Sequence, residues 1–458
     1  SPFDRLRANG WLSFCRNQSY EGSEEERMLK PIFLTGFPKL ALYLRVVVHV
    51  FLRYLGETLR GRLGPVAFVK LLYRSLLLLK VMVRNKVVQV GELYKMQLYL
   101  PAYPSPAFWE SFEKFIRPDP GPLTVVFSIT KACRYKCPHC YQRNDGGADI
   151  EIELLKKVAR EMQEIGVTMF DIEGGEPLLR FERLMDLLTA FDGRREIWVN
   201  TTGEGLTPEM ARRMKEAGVF GVMISLHTPD PVDYDAFTRF PGSFGIAKEA
   251  ARMFNEAGIT VALNSCPTEE LFARDGVERV MDVAREWGCS FVQIIHGKSA
   301  GAWLGKQDEM ISAREKIRKL RRLHLQYNSP GAFAGHPSAS VQVFEESPCH
   351  FGCTAGGVDR FYLNANGEVQ PCEFLNVSFG NVQEEGFKTI FARMRRQFRQ
   401  PGTRWLCATE AGSIHKTIVD KGLRKTPVPR EFTEKLVETW NKGSPTDLYR
   451  RMNLYKPD

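Results

Sequence analysis

Three cysteines follow one another closely at Cys133, Cys137 and Cys140, with three and then two residues between them. Thiolates at these offsets on one loop can converge on one metal centre, and soft thiolate ligands select iron–sulfur clusters or zinc. Three ligands would leave one iron of a four-iron cluster open to a reactant. A zinc site would need a fourth ligand, and His139 is too close to its neighbours to serve easily. The spacing therefore favours an iron–sulfur cluster.

A second motif, Gly174-Gly175-Glu176-Pro177, directly follows the apolar segment Val167–Glu173. Paired glycines at the carboxyl end of a strand permit the backbone to approach a ligand closely. Gly-Gly turns are common, so the motif gains its meaning from its place downstream of the three cysteines.

Together the two motifs resemble the signature of the radical S-adenosylmethionine (SAM) superfamily. That family has C-x3-C-x2-C after its first strand, with an aromatic flank such as Tyr141, and a GGEP element after its second. His139 replaces the usual aromatic residue before the last cysteine. The resemblance implies a 4Fe–4S cluster on Cys133, Cys137 and Cys140, whose open iron chelates SAM. One electron from the cluster would cleave SAM to a 5′-deoxyadenosyl radical, which abstracts hydrogen from an unactivated C–H bond.

The resemblance also implies cofactor contacts at the ends of successive strands. In the family the GGEP element holds the amino group of SAM, and polar residues ending the third and fourth strands often reach the cofactor. Each of these residues could equally be an ordinary, satisfied loop residue. The expected contacts are Tyr141, Gly174, Gly175, Glu176, Pro177, Asn200, Thr202 and Ser225.

Four more cysteines lie in the C-terminal region, at Cys349, Cys353, Cys372 and Cys407. The stretch from Cys353 to Cys372 includes Asn364-Ala-Asn-Gly367, which predicts a hairpin turn. This region is similar to the SPASM domain, or its shorter "twitch" form, which carries auxiliary clusters on many radical SAM enzymes. A full SPASM domain has seven cysteines for two clusters, and its C-x2-C-x5-C run is absent here.

Four cysteines suffice for one fully ligated auxiliary 4Fe–4S cluster, which would pass electrons rather than bind substrate. If Cys349 is not a ligand, one iron stays open and could contact the substrate directly. A zinc site and buried free cysteines remain alternatives.

The elements that must position these residues form an alternating pattern after Pro122. Six strand-like segments are separated by amphipathic helices, which indicates βα units around a parallel sheet. Six units are too few for a closed eight-stranded barrel, so we expect an α/β fold built on a partial (β/α)6 TIM-like barrel, with its chemistry at the carboxyl ends of the strands. The segments are Leu123–Thr130, Val167–Glu173, Glu196–Thr202, Phe220–Leu226, Ile259–Ser265 and Ser290–His296.

Before the barrel, residues 31–96 are both apolar and basic. Arg45, His49 and Arg53 are spaced by four residues and form one polar stripe on an apolar helix. Such a helix suits a membrane interface better than a membrane span, and an amphipathic hairpin packed on the barrel is the alternative. We expect a helical N-terminal region (residues 1–121), a radical SAM barrel (122–330) and a small iron–sulfur domain with C-terminal helices (331–458).

Composition limits the class of protein further. The net charge of +9 favours an anionic partner, but the basic residues are interleaved with aliphatic ones and lack nucleic-acid recognition motifs, so no nucleic-acid partner is expected. The sparse cysteines fit a reducing compartment, and residues 1–30 show no secretory signal. We expect a cytoplasmic protein, peripheral to the inner face of the membrane.

The substrate is the least constrained expectation. The apolar, basic N-terminal segment favours a hydrophobic, lipid-like substrate that is functionalised or joined through a new C–C bond. The alternative is a peptide or protein maturase that installs a crosslink, because SPASM-like domains accompany many such enzymes. A non-catalytic iron–sulfur scaffold or electron carrier is the alternative of another class. Catalysis would require a reductant such as a ferredoxin or flavodoxin.

Overall fold

The computed structural model describes residues 31–117, 119–306 and 314–455. Its N-terminal part is a three-stranded antiparallel sheet of β1 (Ile32–Leu34), β2 (Val87–Val90) and β3 (Leu93–Lys95). Between β1 and β2 the chain forms two long helices, α1 (Gly36–Leu59) and α2 (Pro65–Met82), which we call the helical hairpin. In the described residues, no helix has both the length and the apolar character to cross a bilayer.

The main sheet contains nine strands. Its order is β10-β9-β8-β7-β6-β5-β4-β11-β12, and every neighbouring pair is parallel except β11 with β12. The strands are β4 (Thr124–Ser128), β5 (Met169–Glu173), β6 (Glu196–Thr201), β7 (Val219–Ser225), β8 (Thr260–Ser265), β9 (Phe291–Ile294), β10 (Ser338–Val341), β11 (Arg360–Leu363) and β12 (Val369–Gln370).

Helices cover the outer face of this sheet and complete the C-terminal region. They are α3 (Pro106–Lys114), α4 (Ile152–Glu164), α5 (Phe181–Leu188), α6 (Pro208–Glu216), α7 (Pro231–Thr238), α8 (Ser243–Glu256), α9 (Glu269–Ala273), α10 (Gly276–Glu286), α11 (Arg314–Asn328), α12 (Gln342–Glu345), α13 (Phe387–Gln397), α14 (Leu406–Thr409), α15 (Ala411–Asp420), α16 (Arg430–Glu438) and α17 (Asp447–Met452).

The amino-terminal end of the barrel is closed by the segment that follows β2. A small apolar cluster joins Val88 and Leu98 to Met169, Trp198 and Phe291 of the barrel strands. Beside it the buried Lys95 pairs with Glu196, whose second oxygen accepts from the Ala102 backbone N–H at 2.7 Å. The plugged end leaves the carboxyl ends of the strands as the open side of the barrel, which is where enzymes of this architecture place their chemistry.

All six predicted barrel strands are present, as β4 to β9, and the α/β partial-barrel fold is confirmed. The sheet also includes two parallel strands that the prediction missed, β10 and β11. β10 is a short Ser-Ala-Ser-Val segment without the β-branched run that marks a strand, and β11 pairs with β4 across a long sequence separation. The predicted turn at residues 364–367 does connect the antiparallel strands β11 and β12. The domain limits stay a prediction, and the sheet extends beyond residue 330.

Candidate active site

The loop that carries Cys133, Cys137 and Cys140 leaves the carboxyl end of β4 and is held at several points. Asp149 accepts from the Thr130 hydroxyl at 2.6 Å and from the Lys131 backbone N–H at 2.9 Å. The Lys136 N–H donates to the Thr238 carbonyl at 2.8 Å. These bonds fix the start and the middle of the loop.

The three cysteines lie within electrostatic reach of one another. Cys133 is exposed, and Cys137 and Cys140 are half-buried. Burial, together with the neighbouring thiolates of Cys140 and Cys133, raises the pKa of Cys137 to about 12. A cationic metal centre is what allows such thiols to lose their protons together.

The donor set fits an iron–sulfur cluster better than one zinc ion. Within the described ranges, no three His, Cys, Asp or Glu side chains converge as they would on a single ion. A four-iron cluster binds its cysteines on different irons, so its thiolates stand further apart than ligands to one ion. Cys133, Cys137 and Cys140 would thus hold a 4Fe–4S cluster.

His139, between two of the cysteines, lies in an aromatic environment. Its ring centroid is 4.3 Å from that of His227, 5.0 Å from Phe237 and 5.7 Å from Trp303. Burial lowers its pKa to about 4, so the ring is neutral at physiological pH. The histidine therefore serves as a flat packing surface, as the aromatic residue it replaces would.

The GGEP glycines are required because the turn after β5 packs directly on the cysteine loop. A Cβ at Gly174 would lie 2.6 Å from the Thr130 carbonyl oxygen, and one at Gly175 would overlap the Ala132 carbonyl oxygen. The Gly175 N–H donates to Thr130 at 2.7 Å, and the Glu176 N–H donates to Ala132 at the same distance. The motif thus connects the turn after β5 to the cysteine loop.

Glu176 and Thr202 are joined by hydrogen bonds. The buried Glu176 carboxylate accepts from the Thr201 hydroxyl at 2.7 Å and from both the Thr202 hydroxyl and backbone N–H at 2.6 Å. It also accepts from the Leu178 N–H at 2.9 Å. Pro177 opens the short 3-10 helix that follows. With its carboxylate saturated by protein donors, Glu176 orients the ends of β5 and β6, and a role of its side chain in holding SAM stays a prediction.

Glu173, at the carboxyl end of β5, was not singled out from the sequence. It accepts from the Tyr141 hydroxyl and from Gln142 Nε2, the latter at 2.9 Å, and Asn200 also bonds to it. Burial raises its pKa to about 8. Tyr141 therefore links the cysteine loop to a buried carboxyl group. An acidic residue directly before Gly-Gly at a strand end was the available signal.

Two polar atoms near the strand ends are buried without a partner. Asn200 Oδ1 and Asn264 Oδ1 are buried without a hydrogen-bond partner, on β6 and β8. Between these strands lies β7, where Ser225 pairs with Asn264 in register and is half-buried. Buried amide oxygens without donors are costly. The structure thus brings Asn200 and Ser225 to one edge of the sheet, and their contact with SAM stays a prediction.

In the second cysteine group, the structure brings three members together. Cys353 and Cys372 are largely enclosed, and Cys407 lies in the short helix α14. Burial raises the pKa of Cys407 to about 11, and the neighbouring Cys353 contributes to the rise; Cys407 in turn acts on Cys372. Cys407 therefore lies within electrostatic reach of both Cys353 and Cys372. Cys349 is exposed.

Charged side chains connect the second cysteine group to the barrel strands. Lys298, buried in the loop after β9, acts electrostatically on both Cys266 and Cys407. Glu373 raises the pKa of Glu173, and the Cys372 thiol donates to Glu373 at 3.0 Å.

Two adjoining cavities lie near the main sheet and the helical hairpin. One enters the sheet between β10 and β11 and reaches polar groups that include Gln293, Arg360 and Glu373. The other, of about 290 Å³, lies in the helical hairpin and is almost wholly apolar. Leu78, Met82 and Leu100 line both cavities.

Comparison with known families agrees with this site. Residues 127–267 match the family model described as the radical SAM superfamily, and residues 353–409 match SPASM, described as an iron–sulfur cluster-binding domain. The chain is a radical SAM enzyme with a SPASM domain. Its cofactors are therefore SAM and 4Fe–4S clusters. The second match begins at Cys353 and includes Cys372 and Cys407, and Cys349 lies outside it.

Particular relatives differ in what they act on. The chain is 26% identical to an AdoMet-dependent heme synthase of Nitratidesulfovibrio vulgaris, over 60% of this chain and 80% of that one. It is 22% identical to a PqqA peptide cyclase of Granulibacter bethesdensis, over 62% and 78% of the two chains. Streptococcus suis SuiB bound to the precursor peptide SuiA is 18% identical, with a TM-score of 0.49, over 59% of this chain and 64% of that one.

Proposed function

We propose that this enzyme abstracts hydrogen from an unactivated C–H bond of a peptide or protein and thereby modifies it. The observation that carries the proposal is the buried polar connection between the end of β5 and the second cysteine group, where Glu373 acts on Glu173 and accepts from the Cys372 thiol. When bound, the cluster and SAM supply a 5′-deoxyadenosyl radical. The second site offers an electron acceptor for the product radical.

The residues of this chain would hold the reactants in place. Cys133, Cys137 and Cys140 would ligate the radical SAM cluster, and Cys353, Cys372 and Cys407 the auxiliary cluster. Asn200, Asn264 and Ser225 lie at the strand ends where SAM would bind, and the unpartnered amide oxygens of Asn200 and Asn264 suit its ammonium and hydroxyl donors. The backbone of Gly174 and Gly175 and the Tyr141 hydroxyl complete this set.

A peptide substrate is supported by two facts. Among the relatives is a peptide cyclase that shares a long segment with this chain. The cavity between β10 and β11 also carries both charges, from Arg360, Glu346 and Glu373, which suits a polar, zwitterionic chain better than a hydrocarbon.

A hydrophobic, lipid-like substrate is the second candidate. The relatives described above include none named as acting on a lipid. The candidate rests on the two adjoining cavities, since the apolar one could receive a hydrocarbon tail while a polar head reached Arg360. A non-catalytic scaffold does not fit a chain that is a radical SAM enzyme.

Deuterium transfer separates the two substrate classes. The reconstituted enzyme is incubated anaerobically with SAM, a strong reductant, and either a deuterated peptide fraction or a deuterated lipid fraction of cells that carry the gene. We expect 5′-deoxyadenosine one mass unit heavier with the peptide fraction. Transfer from the lipid fraction alone would refute the peptide proposal. Repeating the reaction with reduced flavodoxin in place of the chemical reductant tests whether a flavodoxin can supply the electron.

A further inference from the structure

The helical hairpin has an exposed apolar surface that the barrel does not cover. Of the sixteen large hydrophobic side chains exposed in the described residues, thirteen lie between Ile32 and Val83. On α1 they follow a helical repeat, so they form one stripe opposite the packed face. The members on α1 are Phe37, Leu40, Leu44, Val48, Phe51, Leu52 and Leu59.

The second helix carries a matching stripe. Its exposed members are Val66, Val69, Tyr73 and Leu76, and Val83 follows the helix end. The two stripes adjoin, because Phe51 and Phe68 lie with ring centroids 5.7 Å apart and both helices line the apolar cavity. Contiguous apolar patches of this extent are rare on surfaces that face only water.

The surface is also strongly cationic. Residues 36–84 contain nine Lys or Arg and a single acidic residue, Glu57. Lys70 and Lys80 are exposed and lie on the outward side of α2 among the apolar residues. Arg45 is exposed at the edge of the α1 stripe. Apolar side chains interleaved with cations match the chemistry of an anionic lipid surface.

The opposite faces of both helices pack against the rest of the protein. Leu42, Val46 and Val50 of α1 are buried, and Arg74 of α2 donates to the carbonyl oxygens of Met452 and Asn453 at 2.7 and 2.9 Å. The hairpin is therefore fixed to the body of the protein through one side and presents the other. As neither helix has the character of a membrane span, the hairpin would lie along a bilayer rather than cross it.

We propose that the outward face of the helical hairpin docks on an anionic lipid bilayer, with the apolar stripes inserted at the headgroup level and Lys70, Lys80 and Arg45 against lipid phosphates. This inference goes beyond the modification chemistry, since it concerns where the enzyme works and holds for a peptide or a lipid substrate. It also places the mouth of the apolar cavity at the bilayer surface.

Vesicle flotation of the full chain tests the docking. The probes are vesicles of phosphatidylcholine, and of phosphatidylcholine mixed with phosphatidylglycerol. We expect the protein to float with the anionic vesicles and to release as salt rises. The double variant Leu44→Asp/Val69→Asp should bind at least about tenfold more weakly, because each apolar side chain contributes more than about 1 kcal/mol on burial. Lys70→Gln/Lys80→Gln should lose about tenfold on anionic vesicles.

A matched control is Val232→Asp/Val419→Asp, which adds the same charge at exposed valines outside the hairpin. It should float like the parent protein, and all variants should keep the parent's circular dichroism. No flotation, or equal flotation of the Leu44→Asp/Val69→Asp variant, would overturn the proposal. Self-association of the parent protein that the Leu44→Asp/Val69→Asp variant abolishes would also overturn it. In that case a second copy of the chain would cover the outward face of the hairpin. Flotation only after removal of residues 1–30 would make that segment the occupant.

Discussion

The four cysteines of the C-terminal group differ in their surroundings. These differences decide how many of them can ligate an auxiliary cluster. Cys353 raises the pKa of Cys407, and Cys407 raises the pKa of Cys372. Arg360 opposes the rise at all three thiols, and Lys298 opposes it at Cys407. Cys349 is exposed four residues before Cys353. If three cysteines ligate the auxiliary cluster, one of its irons is open.

The first prediction concerns these ligands. Cys353→Ser should lose the auxiliary cluster, which lowers bound iron from roughly eight to roughly four per chain in the anaerobically reconstituted protein. Cys349→Ser, the matched control, should retain the full iron content. Iron and sulfide analysis with electron paramagnetic resonance measures both. Equal losses in the two variants would show that Cys349 is a fourth ligand.

Asp171 lies in the middle of β5 with Oδ1 buried and unpartnered. Burial raises its pKa to about 7, and Glu373 adds to the rise. The folded protein therefore binds a proton that the unfolded chain releases near the ordinary Asp value. This contribution to stability is fully present below that value and is lost as pH rises towards 7.

The second prediction follows from that sign. Asp171→Asn mimics the protonated side chain, so the unfolding temperature of the variant should rise relative to the parent protein between pH 5 and pH 7.5. Differential scanning fluorimetry under anaerobic conditions measures the difference. A constant difference across that range would mean that Asp171 does not titrate in the folded state.

At the scale of elements, the turn after β5 and the loop after β4 act as one unit. Backbone hydrogen bonds join them at Gly175 and Glu176, and Glu176 carries the connection on to the end of β6. The geometry of the cluster loop therefore depends on residues that ligate nothing.

The third prediction tests this dependence. Gly175→Ala forces a Cβ against the Ala132 carbonyl oxygen, so it should destabilise the fold by about 1–3 kcal/mol and weaken binding of the first cluster. Gly245→Ala is the control, since its Cβ would meet nothing within 4 Å in α8. It should stabilise the helix by about 0.5–1 kcal/mol. Equal behaviour of the two variants in thermal unfolding and iron content would contradict the account.

The sequence was most informative where chemistry requires fixed spacing. Both cysteine groups, the GGEP turn and the six central strands could be predicted, because ligand spacing and the repeat of apolar residues are local properties. Glu173 and Glu373 could not be predicted as neighbours, since a parallel sheet and a distant hairpin bring them together. β11 was missed for the same reason, because its partner β4 is more than two hundred residues earlier.

At the scale of the whole molecule, three regions contribute to one barrel. The N-terminal segment closes the amino end of the barrel, the cysteine loop occupies the open end, and the SPASM region extends the sheet through β11. The lipid-like substrate expected from the N-terminal segment has no support among the relatives, and the observed apolar surface is better explained as a place of docking. The substrate itself could not be derived, since it depends on side chains gathered from every region.

The central claim is that Cys133, Cys137 and Cys140 support SAM cleavage, and formation of 5′-deoxyadenosine measures it most directly. The reconstituted chain, given SAM and a strong reductant without oxygen, should produce 5′-deoxyadenosine. Cys137→Ala should produce none, and Cys289→Ala, which alters a buried cysteine outside both groups, should match the parent protein. No product from the parent chain, or undiminished product from Cys137→Ala, would contradict the claim.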